Sequence, residues 1–464
     1  MCRSRVTLTT RLTQWCNGGE SRVRFAVVTP SRLSSHYTAP PGTRLKFSGS
    51  GNVYGLPGST AFSPTRFGTR THNVISCLPA ARTKRSLSAE ALISPPLYFF
   101  GLLASLWTWK CLMMVVFQNK IIYIPGMPPN SRRETIRDYA AQCVGVRWEE
   151  HRTRASDGTD LALCVASVSS TDTTGDPSQT GENPVYILYF HGNASSLPPR
   201  LPLLSHVLRS IKSQSSAKSS VSIRYTMVCL SYRGYWTSRG RPSEDGITRD
   251  AIAAMSWISH LQDKLSSSHI EAGDKIQAQV QAELAPVIVW GASIGAAFAT
   301  GLAANVKACP ANLHISSLCL ETPFTSIRDM LVAMYPQKWV PYKHLWPFLR
   351  NHLDNYKNLQ VLANNCRLNG THCPHIFLLH AGKDEIVPSE HGDRLFARCV
   401  DLGFDVERHS VAGAFHNDAT FRPRGRQELA AAIVREAQRA VESRSAPAAS
   451  SVSSTYTSKP VPHV

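Results

Sequence analysis

Twelve cysteines are spread along this 464-residue chain, and no two of them form a C-x-x-C pair. Small zinc modules are built on that spacing, so its absence argues against one, and most of the cysteines read as buried free thiols. The histidines show no metal-ligand spacing either, and no metal or other cofactor is expected. Acidic residues are scarce at the N-terminus, where residues 1–93 hold thirteen Lys and Arg against Glu20 and Glu90 alone. Most of the formal charge of +18 therefore resides in that stretch. A nucleic-acid-binding face would set its Lys and Arg among aromatics on a folded surface. Here they lie among Ser, Thr, Pro and Gly with no sustained periodicity. Residues 1–93 are read as a disordered basic tail, with no nucleic-acid partner. An organelle transit peptide shares this composition, but the stretch is too long for one.

Charge is the next thing missing. From Leu97 to Phe117 the sequence LYFFGLLASLWTWKCLMMVVF has Lys110 as its one charged residue. About twenty apolar residues cross a bilayer as a helix, so 97–117 is read as a transmembrane helix. A lysine held at the centre would cost about 2.5–3.5 kcal/mol, but Lys110 lies off-centre and can reach the interface. A buried helix of a globular domain is the alternative. Arg82, Lys84 and Arg85 precede the span, and Lys120, Arg132 and Arg133 come after it. The local balance is even, and the long basic tail tilts the N-terminus towards the cytoplasm.

Beyond the span the chain is rich in alternating signals. Ile121 to Pro125 reads as an extended connector. Arg147–Arg154 and Leu161–Val168 read as strands joined by a turn at Ser156–Thr159. Val185–Phe190, Tyr225–Ser231, Ser317–Leu320, His375–His380 and Asp405–Val411 are further strands, several apolar throughout, as strands covered on both faces are. Helices are expected at Leu203–Ser210, Gly246–Leu265 and Arg426–Glu442. Ser213–Ser222 reads as a flexible Ser-rich insertion and Ser266–Gln281 as a polar one. The fold class is α/β: a mostly parallel sheet with helices on both faces, spanning 118–442. Residues 443–464 read as a disordered C-terminal tail.

One stretch carries chemistry. Pro286-Val287-Ile288-Val289-Trp290 runs into Gly291-Ala292-Ser293-Ile294-Gly295 and then an Ala-rich helical segment. This is G-x-S-x-G between a strand and a helix, where a sharp turn lifts the serine clear of the sheet. Gly291 and Gly295 keep the neighbouring side chains small. Functional groups of an open α/β sheet gather beyond the C-terminal strand ends. There lie Asp384, after Phe377–Leu379, and His416, after the last strand. Ser293, Asp384 and His416 stand in nucleophile, acid, base order. Glu385 is a minor alternative for the acid. The backbone N–H groups of Ile294 and Asn193 are the expected oxyanion donors. His191 and Gly192 are expected to brace that loop.

The strings YFHGNA, LSYRGYWTSRGRPSEDGITRD, VIVWGASIG, LETPFTSI, LLHAGKDEIVP and FHND resemble the α/β-hydrolase-domain family. The likeness is to its membrane-anchored branch, which includes fungal bud-emergence-type proteins and animal lysophospholipid and monoacylglycerol hydrolases. It covers about Ile121 to Glu442, and it places the family's nucleophile, acid and base on Ser293, Asp384 and His416. Trp236 departs from the pattern, standing where the family usually has Gly, a departure that bears on the loop beside the entrance and on substrate choice rather than on catalysis. The resemblance implies a membrane-anchored serine hydrolase acting on acyl esters of lipids. Two alternatives stand beside it: a protein S-deacylase, and a non-catalytic membrane scaffold.

Two further expectations concern the membrane. Between Pro323 and Cys373 lies a lid-like insertion with Tyr335, Trp339, Tyr342, Trp346 and Phe348, read either as ordinary packing or as a surface lying against lipid. Cys366 and Cys373 bracket the sequon at Asn369 in what reads as a polar loop. A lumenal domain would allow a Cys366–Cys373 disulfide and a glycan on Asn369. The sequon at Asn193 sits in the oxyanion loop and is expected to be unused. A single-pass protein of the endoplasmic reticulum or another endomembrane, with its hydrolase domain lumenal, is the resulting expectation.

Overall fold

The computed structural model describes residues 88–171, 182–218, 221–271 and 284–445. The basic tail through residue 87, the C-terminal tail from 446 and most of the polar insertion after 271 lie outside the described residues.

The first helix, α1, runs from Ala89 to Val116. It starts eight residues before the apolar run and keeps Pro95 and Pro96 inside it, at its seventh and eighth positions, where each leaves a first-turn carbonyl without its helical donor. Residues 89–93, read as the end of the tail, are thus helical. Leu92–Val116 is long and apolar enough to cross a membrane and is unburied by the rest of the chain. At about 1.5 Å per residue its 25 residues exceed the roughly 30 Å of a hydrocarbon core. Helix α2, Gln118–Tyr123, continues almost without a break, since Ile121 N–H still donates to the Phe117 carbonyl. The extended connector expected there is therefore helical up to Tyr123, and Ile124 ends it in the left-handed region. A four-residue helix, α3, spans Ile136–Tyr139.

Eight strands form one sheet: β1 Glu149–Arg154, β2 Asp160–Ser169, β3 Asn183–Phe190, β4 Ile223–Ser231, β5 Ala285–Ala292, β6 Leu313–Glu321, β7 His375–Ala381 and β8 Val406–Val411. Their order is β1-β2-β4-β3-β5-β6-β7-β8. The β1/β2 and β2/β4 pairs are antiparallel, and the pairings from β4 to β8 are parallel. Side chains alternate between two cores with the period of two that a strand imposes. Tyr186, Leu188 and Phe190 of β3 enter one core; Val185, Ile187 and Tyr189 enter the other.

Helices cover both faces. Leu201–Lys218 (α4) and Pro423–Ser445 (α10) supply the second core. Glu244–Glu271 (α5), Ile294–Ala304 (α6), Asn355–Asn369 (α8) and Ser389–Leu402 (α9) supply the first, with Ile327–Met334 (α7) beside them. Two helices outrun the sequence reading. The Ser-rich 213–218 is the end of α4, and 266–271 is the end of α5, because a run of Ser, His and Glu lowers helix propensity without breaking the hydrogen-bond ladder. Cys366 likewise lies in the last turn of α8, which Gly370 closes in the left-handed region, so its stretch is helix and not loop.

Candidate active site

The turn after β5 is built by exclusion. An added Cβ at Gly295 would lie 2.2 Å from the Phe190 carbonyl oxygen, and one at Gly291 would lie 2.4 Å from the Gly295 carbonyl oxygen. No side chain fits either position, so strand and helix close tightly around Ser293. That residue takes φ 55°, ψ −116°, a conformation rare for a residue with a Cβ. Its N–H donates to the Glu321 carbonyl at 2.8 Å, so β6 holds the turn from behind.

Three side chains from three strand ends meet here. Ser293 Oγ is 2.9 Å from His416 Nε2, and His416 Nδ1 is 2.8 Å from Asp384 Oδ2. Burial alone would raise the Asp384 pKa, but the His416 hydrogen bond and the Ile386 and Val387 N–H groups outweigh it, and the carboxyl is held below its usual range. An ionised carboxylate on Nδ1 fixes the tautomer whose bare Nε2 faces the serine. Glu385, the rival acid, accepts the His416 backbone N–H at 2.9 Å and so braces the loop.

Neither the Ile294 nor the Asn193 backbone N–H meets a protein acceptor among the described residues, and Ile294 opens helix α6 at its partially positive end. His191 is fully buried and stacks on Tyr232 at 4.0 Å between centroids. Burial and the nearby Arg200 push its pKa down to about 3, which leaves a neutral ring that supports the loop. A Cβ on Gly192 would make ordinary contact with Ser293 Cβ, so this loop lies directly against the elbow.

Sequence reasoning missed Glu321. Its buried carboxyl accepts from Trp290 Nε1 and from Thr420 Oγ1 at 2.7 Å, which ties β5, β6 and the His416 loop together. Burial pushes its pKa up against those two donors. The LETPF string puts Glu321 at a strand end, but nothing in it points to Trp290 or Thr420 as partners. Trp236 adopts φ 42°, the left-handed region that favours glycine, yet its ring is buried in the second core and donates to the Glu134 carbonyl. It therefore packs inward and does not line an entrance. Cys366 and Cys373 stand as thiols in contact with each other: Cys366 is buried at the end of α8, and burial together with the Cys366 thiol pushes Cys373 up to about 12. Asn369 is exposed.

The lid-like stretch contains α7, a 3₁₀ run Pro341–Phe348 and α8. Trp339, Trp346 and Phe348 are exposed, while Tyr342 is buried. Trp339 stacks on Trp107 of α1 at 5.7 Å, and Lys110 sits 4.6 Å above the Tyr342 ring.

This sheet order, with a strand–serine–helix turn at its centre, defines an α/β-hydrolase fold. No protein-family model matches the chain. Its relatives come from the branch that the sequence resembles. Protein bem46 of Schizosaccharomyces pombe is 26% identical over 65% of this chain and 81% of its own. The lysophosphatidylserine lipase ABHD12 of Danio rerio is 31% identical over 45% of this chain and 46% of its own. An uncharacterized protein of Mycobacterium tuberculosis is 31% identical over 42% of this chain and 53% of its own. The chain thus spans about half the length of the latter two relatives. Among solved structures, an alpha-beta hydrolase from Vibrio vulnificus superposes with a TM-score of 0.45 at 19% identity, over 69% of this chain and 92% of that one.

Proposed function

We infer that the protein is a membrane-anchored serine hydrolase that cleaves acyl esters of lipids, of lysophospholipid or monoacylglycerol type. The observation that carries this reading is the continuous Asp384–His416–Ser293 hydrogen-bond chain at the elbow. His416 Nε2 takes the Ser293 proton as Oγ attacks the ester carbonyl. The oxyanion that forms is met by the Ile294 and Asn193 N–H groups, each such donor worth about 10²–10³ in rate. Collapse of the tetrahedral species leaves the acyl group on Ser293, and His416 hands its proton to the departing glycerol oxygen. Water, activated by the same imidazole, then releases the fatty acid and restores the serine. Asp384 stabilises the imidazolium in both halves.

Apolar Leu92–Val116 is read as the bilayer span. Trp107 lies nine residues before the end of α1, or about 14 Å along its axis. Trp339 packs at that level, which supports a lid resting within lipid beside the anchor, where substrate is concentrated. Exposed Asn369 leaves its sequon open to modification, and a lumenal domain in the endoplasmic reticulum or another endomembrane would carry a glycan there. A glycosidase-sensitive mass shift that disappears in Asn369→Gln is the expected sign, and no shift from a lumen-competent host counts against it.

A fluorophosphonate probe tests the enzyme reading. Labelling of folded protein that is lost in Ser293→Ala supports it, and no labelling of folded protein favours a scaffold. Comparison of lipids from wild-type and Ser293→Ala cells then identifies the accumulating ester.

A further inference from the structure

The loop that carries the Asn193 N–H is held by the chain that leaves the membrane span. Ala194 and Ser195, next after Asn193, take φ 54° and 62°, two successive residues in the left-handed region that neither side chain favours. Their N–H groups donate to the carbonyls of Tyr123, at 3.1 Å, and Met127. Tyr123 is the last residue of α2, so the helix that continues the anchor ends directly on this loop.

The support is itself fixed. The Tyr235 hydroxyl donates to the same Tyr123 carbonyl. The Tyr123 hydroxyl, on a fully buried ring, donates to Asn351 Oδ1 at 2.9 Å, and Asn351 Nδ2 donates to Asn119 Oδ1 at 2.6 Å. From the lid side, Arg350 donates to the Val115 and Val116 carbonyls at the end of α1. Arg200 reaches the opposite side of the loop and donates to the carbonyls of Asn193 and Ala194. A peptide held in the left-handed region by hydrogen bonds from outside its own loop keeps that conformation only while the supporting segment stays in place.

We propose that Tyr123, through its main-chain carbonyl, is a positioning residue that aims the Asn193 N–H at the oxyanion and so makes turnover depend on the seating of the membrane helix. This rests on the hydrolase reading above. Tyr123 touches no reacting atom; it acts through Ala194.

The test uses the full-length protein in detergent micelles with a soluble short-chain ester, comparing wild type with Tyr235→Phe and Tyr123→Phe. Active sites are counted by fluorophosphonate titration, so a loss of folded protein does not enter kcat. The expected result is a kcat per titrated site lowered about three- to tenfold, with KM within twofold. A trifluoromethyl ketone, which forms an oxyanion on the serine, should bind more weakly by the same factor. Unchanged kcat and ketone affinity in both variants, or a change confined to KM or to the number of titrated sites, overturns the proposal and leaves the hydrolase reading intact. A folded wild type that neither labels nor turns over overturns both.

Discussion

Trp290 and Trp339 belong to two regions that obey different rules. Trp290 is fully buried beneath the elbow with its indole N–H on Glu321, whereas Trp339 is 68% exposed on the lid. Around Trp290, Ser293, Asp384, His416 and Glu321 meet donors and acceptors set by strand ends within a sheet buried on both faces. Around Trp339, the contacts are ring stacking and a cation over a ring, on a surface that leaves Phe348 and the flank of α1 uncovered. The first region is complete in itself. The second leaves apolar surface uncovered, and it is this surface that the proposed function sets against lipid.

The contrast can be broken at its strongest point first. Ser293→Ala should lower turnover by about 10⁴–10⁶ with folding retained, measured as hydrolysis per folded molecule. Asp384→Asn should cost about 10⁴ by presenting the wrong imidazole tautomer. Activity close to wild type in either variant removes the elbow from the chemistry. Next, Gly295→Ala must move the Phe190 carbonyl or the helix, at about 1–3 kcal/mol of stability. Denaturant midpoints read this, and an unchanged midpoint means the turn is looser than its contacts imply.

On the lid the expected effects are smaller and depend on the substrate's form. Trp339→Ala with Trp346→Ala should slow turnover of liposomal lipid about tenfold, which is about 1.4 kcal/mol of lost membrane contact. Turnover of a soluble ester should change little, and equal losses on both make the two aromatics ordinary packing. The last test is a pH slope. His191 is buried and His380 half-buried, and loss of solvent lowers their pKa to about 3 and about 4 from 6.5. The unfolded chain therefore binds protons that the folded chain refuses, so stability falls as pH drops from 6.5 towards those values. Each group contributes at most about 1.4 kcal/mol per pH unit. His380→Gln should flatten the curve of melting temperature against pH between 6.5 and 4, and an unaltered slope places the proton uptake elsewhere.

Much of the site was legible in the sequence because its parts obey local rules. Gly291 and Gly295 flank a serine at a strand end, Asp384 comes after the apolar run Phe377–Leu379, and His416 comes after the last strand, so chain order exposes them. Glu321 was not legible: its role depends on Trp290 and Thr420, which only the sheet order brings to it. Trp236 drew attention because it stands where glycine is customary, and the sequence did not say where its ring would go. That ring fills a core assembled from distant segments. Cys366 misled through polar neighbours, which a helix surface tolerates as readily as a loop does.

By itself, then, the sequence determined the alternation of buried strands and helices, the elbow, the order of its three partners and one apolar helix. These are consequences of periodicity and chain sterics over a few residues. The tertiary structure alone decided that Tyr123, at the end of the helix continuing from that span, would accept the N–H of Ala194 beside the oxyanion loop. Residues as far apart in sequence as Tyr123 and Ala194 meet there because β1, β2 and β3 fold into the sheet between them, and no local pattern encodes a contact of that range.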